Sequence, residues 1–146
     1  MRKTISIILG LAIVFWLSLP ASTVAQRIVS LQSLAHGTGT LVTDGDEYKI
    51  TGVLVVLKKN GEAEFTLFTD IQLYVQGYWS AAKDLSQGID LKITGGVGKG
   101  DAKGTGKLFL RADGKSISTL AMQGASNTGG KFSVSFVAED KNEAQP

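Results

Sequence analysis

The sequence predicts an all-β protein, an antiparallel meander of about seven or eight strands that forms a small barrel or sandwich after an N-terminal signal peptide. Two observations predict the strands. From Gly37 onward, short segments alternate apolar and polar residues, which is the period of a half-buried strand. Turn dipeptides separate these segments, and no stretch places apolar residues at helical spacing over three turns.

The first 25 residues have the order of a secretory signal peptide. Arg2 and Lys3 precede an apolar run from Ile5 to Leu19, and Thr23 and Ala25 place small side chains where a signal peptidase selects its site. The apolar run is shorter than the about 20 residues that a membrane-spanning helix needs. We therefore expect cleavage after Ala25 and no membrane span in the mature chain. An uncleaved membrane anchor is the alternative.

Charge and cysteine content restrict the compartment and the partners. Cleavage removes Arg2 and Lys3, so 13 of the 15 basic residues remain against 13 acidic residues. This balance lacks the positive excess that is typical of nucleic-acid-binding proteins, so we predict no nucleic-acid partner. The chain has no cysteine and no Asn-x-Ser/Thr glycosylation site. Small secreted domains often depend on disulfides, so the absence of both cysteine and glycosylation sites favours a bacterial protein over a eukaryotic one. We therefore expect a bacterial protein that is secreted or periplasmic.

Turn residues divide the mature chain into strands. Asn60-Gly61 and Asp113-Gly114 fit the positive φ angles of tight hairpins, and Asp44-Gly45 and Thr128-Gly129-Gly130 predict two more hairpins. Thr69-Asp70 contains neither Gly nor Pro, so the third and fourth strands are alternatively one long bent strand. The predicted strands cover residues 38–43, 47–57, 62–69, 71–80, 89–94, 105–112, 116–123 and 131–139.

These strands define a domain from residue 37 to 139, between a lead-in segment 26–36 and a C-terminal tail 140–146. Residues 95–104 are rich in glycine and predict a mobile loop. A shift of 67 residues also superposes Gly37-Thr38-Gly39 on Gly104-Thr105-Gly106, followed by four further matches. This similarity favours consecutive hairpins, whether it reflects a duplication or only the restricted chemistry of hairpins.

Alternation assigns the faces of the fourth strand. Ile71, Leu73, Val75 and Trp79 share the side expected to face the core. The opposite side carries the predicted site residues Gln72, Tyr74, Gln76 and Tyr78. Two tyrosines four positions apart on a strand stand about 13 Å from each other. With the interleaved amides they predict a platform on which a glycan or another extended ligand stacks.

No pattern of catalytic residues is present. His36 is the only histidine and there is no cysteine, so the usual nucleophile and base pairs are missing. The acidic turn Asp44-Gly45-Asp46-Glu47 has oxygen ligands but lacks the spacing of an EF-hand. The Gly95–Gly104 loop lacks the P-loop spacing, although Lys99 and Lys103 are candidates for contacting an anion. We predict no catalytic residue, no metal and no cofactor.

The function that the sequence favours is an exported, non-catalytic binding module with an unidentified small-molecule, glycan or protein ligand. The ligand is expected on the aromatic strand or at the barrel mouth near the Gly95–Gly104 loop. A structural or adhesive envelope component that assembles through strand edges is the first alternative. A hydrolase that uses Asp44, Asp46, Glu62 and Glu64 is the second. Gly77-x-Trp79 is similar to the Gly-x-Trp signature of lipocalins, but its place near the middle of the mature chain does not match that family.

Overall fold

The computed structural model describes residues 30–81, 85–96, 101–126 and 129–140. The predicted signal peptide and residues 26–29 of the lead-in segment lie outside the described residues, as do residues 141–146 of the tail. No helix in the described part of the chain has the length and apolar character needed to cross a membrane.

Eight antiparallel strands form a closed barrel. Each strand pairs with its neighbours in sequence, and the last strand pairs with the first through Gly37–Thr43 and residues 132–138. This confirms the all-β meander, and the closing pair makes it a barrel rather than a sandwich. The strands are β1 (Leu31–Thr43), β2 (Asp46–Leu57), β3 (Glu62–Phe68), β4 (Gln72–Ala81), β5 (Ile89–Gly95), β6 (Ala102–Leu110), β7 (Ile117–Ser126) and β8 (Lys131–Ala138).

Several details of the strands differ from the prediction. β1 begins at Leu31, so part of the predicted lead-in segment belongs to the first strand. β5 extends to Gly95 and β6 begins at Ala102, so the prediction of one loop over residues 95–104 is wrong at both ends.

β3 and β4 are two strands, as predicted, and not one long bent strand, because Thr69 N donates to Ile71 O at 3.1 Å and closes a tight turn. Ile71 lies in this turn with 58% of its surface exposed, so its predicted inward position is wrong. The threonine hydroxyl supports the turn by accepting a hydrogen bond from Ile71 N at 3.2 Å.

The turn dipeptides occupy the hairpins that they predicted. Asp44 and Gly45 have φ angles of 51° and 83°, the two positive values of a type I′ turn. Gly61 and Gly114 have φ angles of 92° and 68°. The side chain of Asp113 fixes its turn by accepting hydrogen bonds from the backbone nitrogens of residues 115 and 116, both at 2.8 Å.

Gly61→Val and Gly114→Val should each lower the free energy of unfolding by about 1 kcal/mol or more, because a β-branched side chain is strained at positive φ. Gly95→Val is the matched control, since no atom lies within 4 Å of a Cβ added there and its φ is not positive. Urea denaturation followed by circular dichroism measures the three values. A loss at Gly95→Val as large as at the other two sites would contradict this reading of the hairpins.

The barrel interior is filled with apolar side chains, and no buried residue among those described is polar or charged. At two places a large inward residue faces a glycine on the neighbouring strand, a combination with which small barrels fill a narrow interior. Phe132 of β8 pairs with Gly124 of β7, which pairs in turn with Gly104 of β6. Phe136 of β8 likewise pairs with Gly39 of β1.

β2 has apolar residues on both sides, but they do not follow strict alternation. Alternation places Ile50 on the side of Leu54 and Val56, yet Ile50 is buried together with Val53 while Leu54 and Val56 are half-buried. The buried side changes beside a register shift between His36 and Gly39 of the neighbouring β1. Bulges of this kind rotate a strand locally and redirect its side chains.

The 67-residue similarity relates β1-β2-β3 to β6-β7-β8. Its matched apolar residues lie on corresponding strands and all of them are buried, although the registers of the two units differ. These pairs are Leu41 and Leu108, Ile50 and Ile117, and Phe65 and Phe132. The two three-strand units therefore place the same apolar residue types in the core on corresponding strands.

Candidate functional site

The outer face of β4 carries the four residues singled out from the sequence. Gln72, Tyr74, Gln76 and Tyr78 are all exposed, with 58% of Tyr74 and 52% of Tyr78 accessible. On the other side of the strand, Val75 is buried while Leu73 and Trp79 pack partly buried against the core. Apart from Ile71, the alternation of this strand is as predicted.

Polar side chains of the neighbouring strands β3 and β5 surround the part of this face near Tyr78. Tyr78 pairs with Glu62 of β3 and with Lys92 of β5, and Gln76 pairs with Glu64. Outward residues at paired positions lie about 5 Å apart at Cβ. A shallow groove of about 160 Å³ lies between them, and Thr94 completes its wall. The groove therefore places a phenol, an amide, a hydroxyl and two carboxylates around one opening.

The carboxylates of the groove are partly neutralised by a neighbouring lysine. Lys58 Nζ donates a hydrogen bond to Glu64 Oε1 at 2.8 Å and forms an ion pair with Glu62 at 3.7 Å. The hydrogen bond to Glu64 and the charge of that carboxylate raise the pKa of Lys58 above its ordinary value. These groups are solvent-exposed, so their contribution to stability is small. Their arrangement leaves carboxylate oxygens available to accept hydrogen bonds.

An irregularity in the β4–β5 pairing shapes the same groove. The register shifts between Gln76 and Gly77, so Thr94 is an extra residue of β5 opposite this step. Gly77 is required here, because a Cβ at this position would collide with the backbone carbonyl oxygen of Lys92. The Thr94 hydroxyl donates to Gln76 O at 3.4 Å. Bulges are common beside functional sites because they redirect side chains.

Tyr74 lies at the other end of the platform. Its hydroxyl donates to Gln72 Oε1 at 3.1 Å, which orients the phenol along the strand. Tyr74 pairs with Thr66 of β3, whose other partner is the half-buried Leu54 of β2. One end of the platform is therefore polar and charged, and the other end borders an apolar surface.

The remaining candidates do not converge on one site. Asp44 and Asp46 belong to the β1–β2 hairpin, whereas Glu62 and Glu64 follow the β2–β3 turn at the opposite end of the barrel. His36 is exposed on β1. Among the described residues, no group of three or more His, Cys, Asp or Glu side chains is placed to hold a metal ion. Residues 97–100 of the glycine-rich loop, including Lys99, lie outside the described residues.

Sequence reasoning missed the residues that neighbouring strands bring to the platform. Lys58, Lys92 and Thr94 lie beside Gln76 and Tyr78 only because of the strand register. Each of them is polar and lies near or within a predicted strand, which is the signal that was present in the sequence. The register that places them together follows from hairpin geometry and from the bulge, and neither is readable from residue types alone.

Comparison with known proteins adds no relative. No protein-family model matches the chain, and no curated protein and no solved structure matches it.

Proposed function

We propose that this chain is an exported, non-catalytic binding module that holds an extended ligand, a glycan chain, on the outer face of β4. The observation that carries the proposal is the pair of exposed tyrosines, Tyr74 and Tyr78, on one face with a polar groove beside them. Sugar rings have apolar faces that stack on aromatic rings and hydroxyl edges that need hydrogen-bonding partners. The β4 surface offers both kinds of group.

The rest of the barrel supports a surface site rather than an internal one. Apolar side chains fill the interior, so ligand contacts fall to the outside of the strands. Open, groove-like surfaces suit polymers, whereas small-molecule sites are usually enclosed. Assembly through strand edges, the first alternative, has no complete edge strand to use because the barrel is closed, and unpaired stretches are limited to strand ends such as residues 46–51 of β2 on the side of β3.

Tyr74→Ala and Tyr78→Ala should each weaken glycan binding about fivefold or more, the loss expected when about 1 kcal/mol of aromatic contact is removed. Affinity gel electrophoresis of the mature protein in a β-glucan, a xylan and a mannan measures the binding. Both variants should unfold within about 0.5 kcal/mol of the wild type, since their side chains are exposed.

Val137→Ala is the control for this experiment, because Val137 is a large exposed apolar residue on β8, away from β4. It should bind the polysaccharides as the wild type does. The proposal is wrong if no polysaccharide retards the wild type, or if the tyrosine variants and Val137→Ala migrate alike.

A further inference from the structure

The charged residues of the strands are divided between the two halves of the barrel. Strands β5 to β8 carry four lysines and one aspartate. Strands β1 to β4 carry four carboxylates and one lysine. The first set is Asp90, Lys92, Lys103, Lys107 and Lys131, and the second is Asp46, Glu47, Lys49, Glu62 and Glu64. Among the strand residues, lysines therefore lie mainly on β5, β6 and β8, and carboxylates mainly on β2 and β3.

The four lysines surround one point on the outer surface of the barrel, Thr105 of β6. Lys103 and Lys107 lie two positions before and after Thr105 on the same strand, about 7 Å away in each direction. Lys92 pairs with Thr105 across the β5–β6 ladder. Lys131 lies two strands from Lys103, since each of them pairs with Ala125 of β7. All four side chains are exposed.

The four lysines form a frame around Thr105, and the surface inside this frame is concave. Two adjoining depressions of about 650 Å³ and 460 Å³ share Thr105 and Gln123 in their walls. Lys131 lines the first depression and Lys107 lines the second. Backbone of Gly104 and Gly124 forms part of the floor.

We propose that this concave face binds an anionic polysaccharide, which is a second binding surface and does not depend on the β4 tyrosines. Lysine ammonium groups attract carboxylate, sulfate or phosphate substituents. Thr105 and Ser133 supply hydroxyls and Gln123 supplies an amide for the sugar hydroxyls. An open depression framed by spaced cations fits a chain with repeated anionic groups better than one small anion.

A nucleic acid and a second copy of the chain both fit this surface less well than an anionic polysaccharide does. Nucleic-acid binding uses aromatic side chains for stacking, and no exposed aromatic residue lines the two depressions in the described part of the chain. A second copy of the chain would present a carboxylate-rich side. Protein interfaces, however, concentrate binding on buried aromatic or arginine anchors, whereas the exposed lining here is threonine, glutamine, serine, alanine, lysine, Asp90 and Val42.

Lys107 is the only one of the four lysines with an ion pair among the described residues, to Asp90 at 3.7 Å. The pair is exposed on both sides and is therefore weak. An incoming carboxylate or sulfate competes for Lys107 without having to break a buried contact. The other three lysines supply the remaining positive charge of the frame.

The test measures binding of the mature protein to fluorescently labelled polygalacturonate, dextran sulfate and neutral dextran by fluorescence anisotropy. We expect both anionic polymers to bind, neutral dextran not to bind, and the Kd for polygalacturonate to rise about tenfold or more between about 50 mM and 300 mM sodium chloride, because salt screens exposed charges. Lys103→Gln combined with Lys131→Gln should raise this Kd about tenfold or more.

The control removes two lysines outside the frame, Lys49→Gln combined with Lys115→Gln. Both proteins lose the same charge, so only a localised site makes them differ. Equal weakening in the two double variants, equal binding of neutral dextran, or tighter binding of a DNA oligonucleotide than of either polymer would overturn the proposal. Sedimentation of the protein without any polymer tests the second copy as the partner. If the protein self-associates and the double variant Lys103→Gln, Lys131→Gln does not, this face binds a second copy and the proposal is wrong.

Discussion

Trp79→Ala should lower the free energy of unfolding by about 3 kcal/mol or more, the usual loss when a large aromatic residue is removed from a core. Trp79 packs partly buried against the core, and its indole Nε1 donates a hydrogen bond to Lys58 O at 2.8 Å. Its backbone nitrogen donates to Gly61 O at 2.9 Å. The residue therefore fixes the β2–β3 hairpin to the end of β4.

Chemical denaturation followed by circular dichroism measures this loss. Trp79 is the only tryptophan expected in the mature chain, so its fluorescence gives a second readout, with emission that shifts to longer wavelength on unfolding. Trp79→Phe should cost less than Trp79→Ala, because it keeps an aromatic ring and removes the indole hydrogen bond. Tyr78→Ala is the neighbouring control on the outer face. A cost for Tyr78→Ala as large as for Trp79→Ala would show that the faces of β4 are wrongly assigned.

Gly124→Val should destabilise the barrel by about 3 kcal/mol, at the upper end of the usual cost of overpacking. An added Cβ at Gly124 would collide with the carbonyl oxygen of Lys103, and it would lie 2.6 Å from Cε1 of Phe132 and 2.7 Å from Cα of Gly104. Backbone occupies two of these three directions, so rotation of a side chain does not relieve the collision.

Ala125→Val is the matched control for Gly124→Val. It places the same valine side chain at an exposed position one residue further along β7, where a β-branched residue suits a strand. Its free energy of unfolding should stay within about 0.5 kcal/mol of the wild type. Thermal and urea unfolding compare the two variants. A similar loss in both would mean that the inward glycines do not set the packing of β6, β7 and β8.

The local features of this chain were predictable because they depend on neighbouring residues. Asp44-Gly45 adopts the two positive φ angles that its residue types favour in a two-residue hairpin. The alternation in β4 placed Tyr74 and Tyr78 outside and Val75 inside, as observed. Where alternation failed, at Ile71, a threonine turn without Gly or Pro makes β4 begin at Gln72, one residue later than the apolar pattern suggested.

The β4 platform was predictable only in part, because some of its residues come from neighbouring strands. The outward residues of β4 follow from alternation within one strand. Glu62, Lys92 and Thr94 join them through the register of two ladders and through a bulge, which depend on pairing between strands. Residue types alone do not state which strand positions face each other, because a shift of one residue changes every partner.

By itself, the sequence determined the strands, the hairpins and most of the inward and outward faces, because local backbone preferences and the two-residue period of a strand act over a few neighbouring positions. The tertiary structure alone decided the closure of β1 onto β8 and the packing of Gly39 and Gly124 against phenylalanines. It also decided the grouping of lysines around Thr105. Each of these depends on contacts between residues that are distant in the chain, and these contacts form only when the twisted sheet closes on itself.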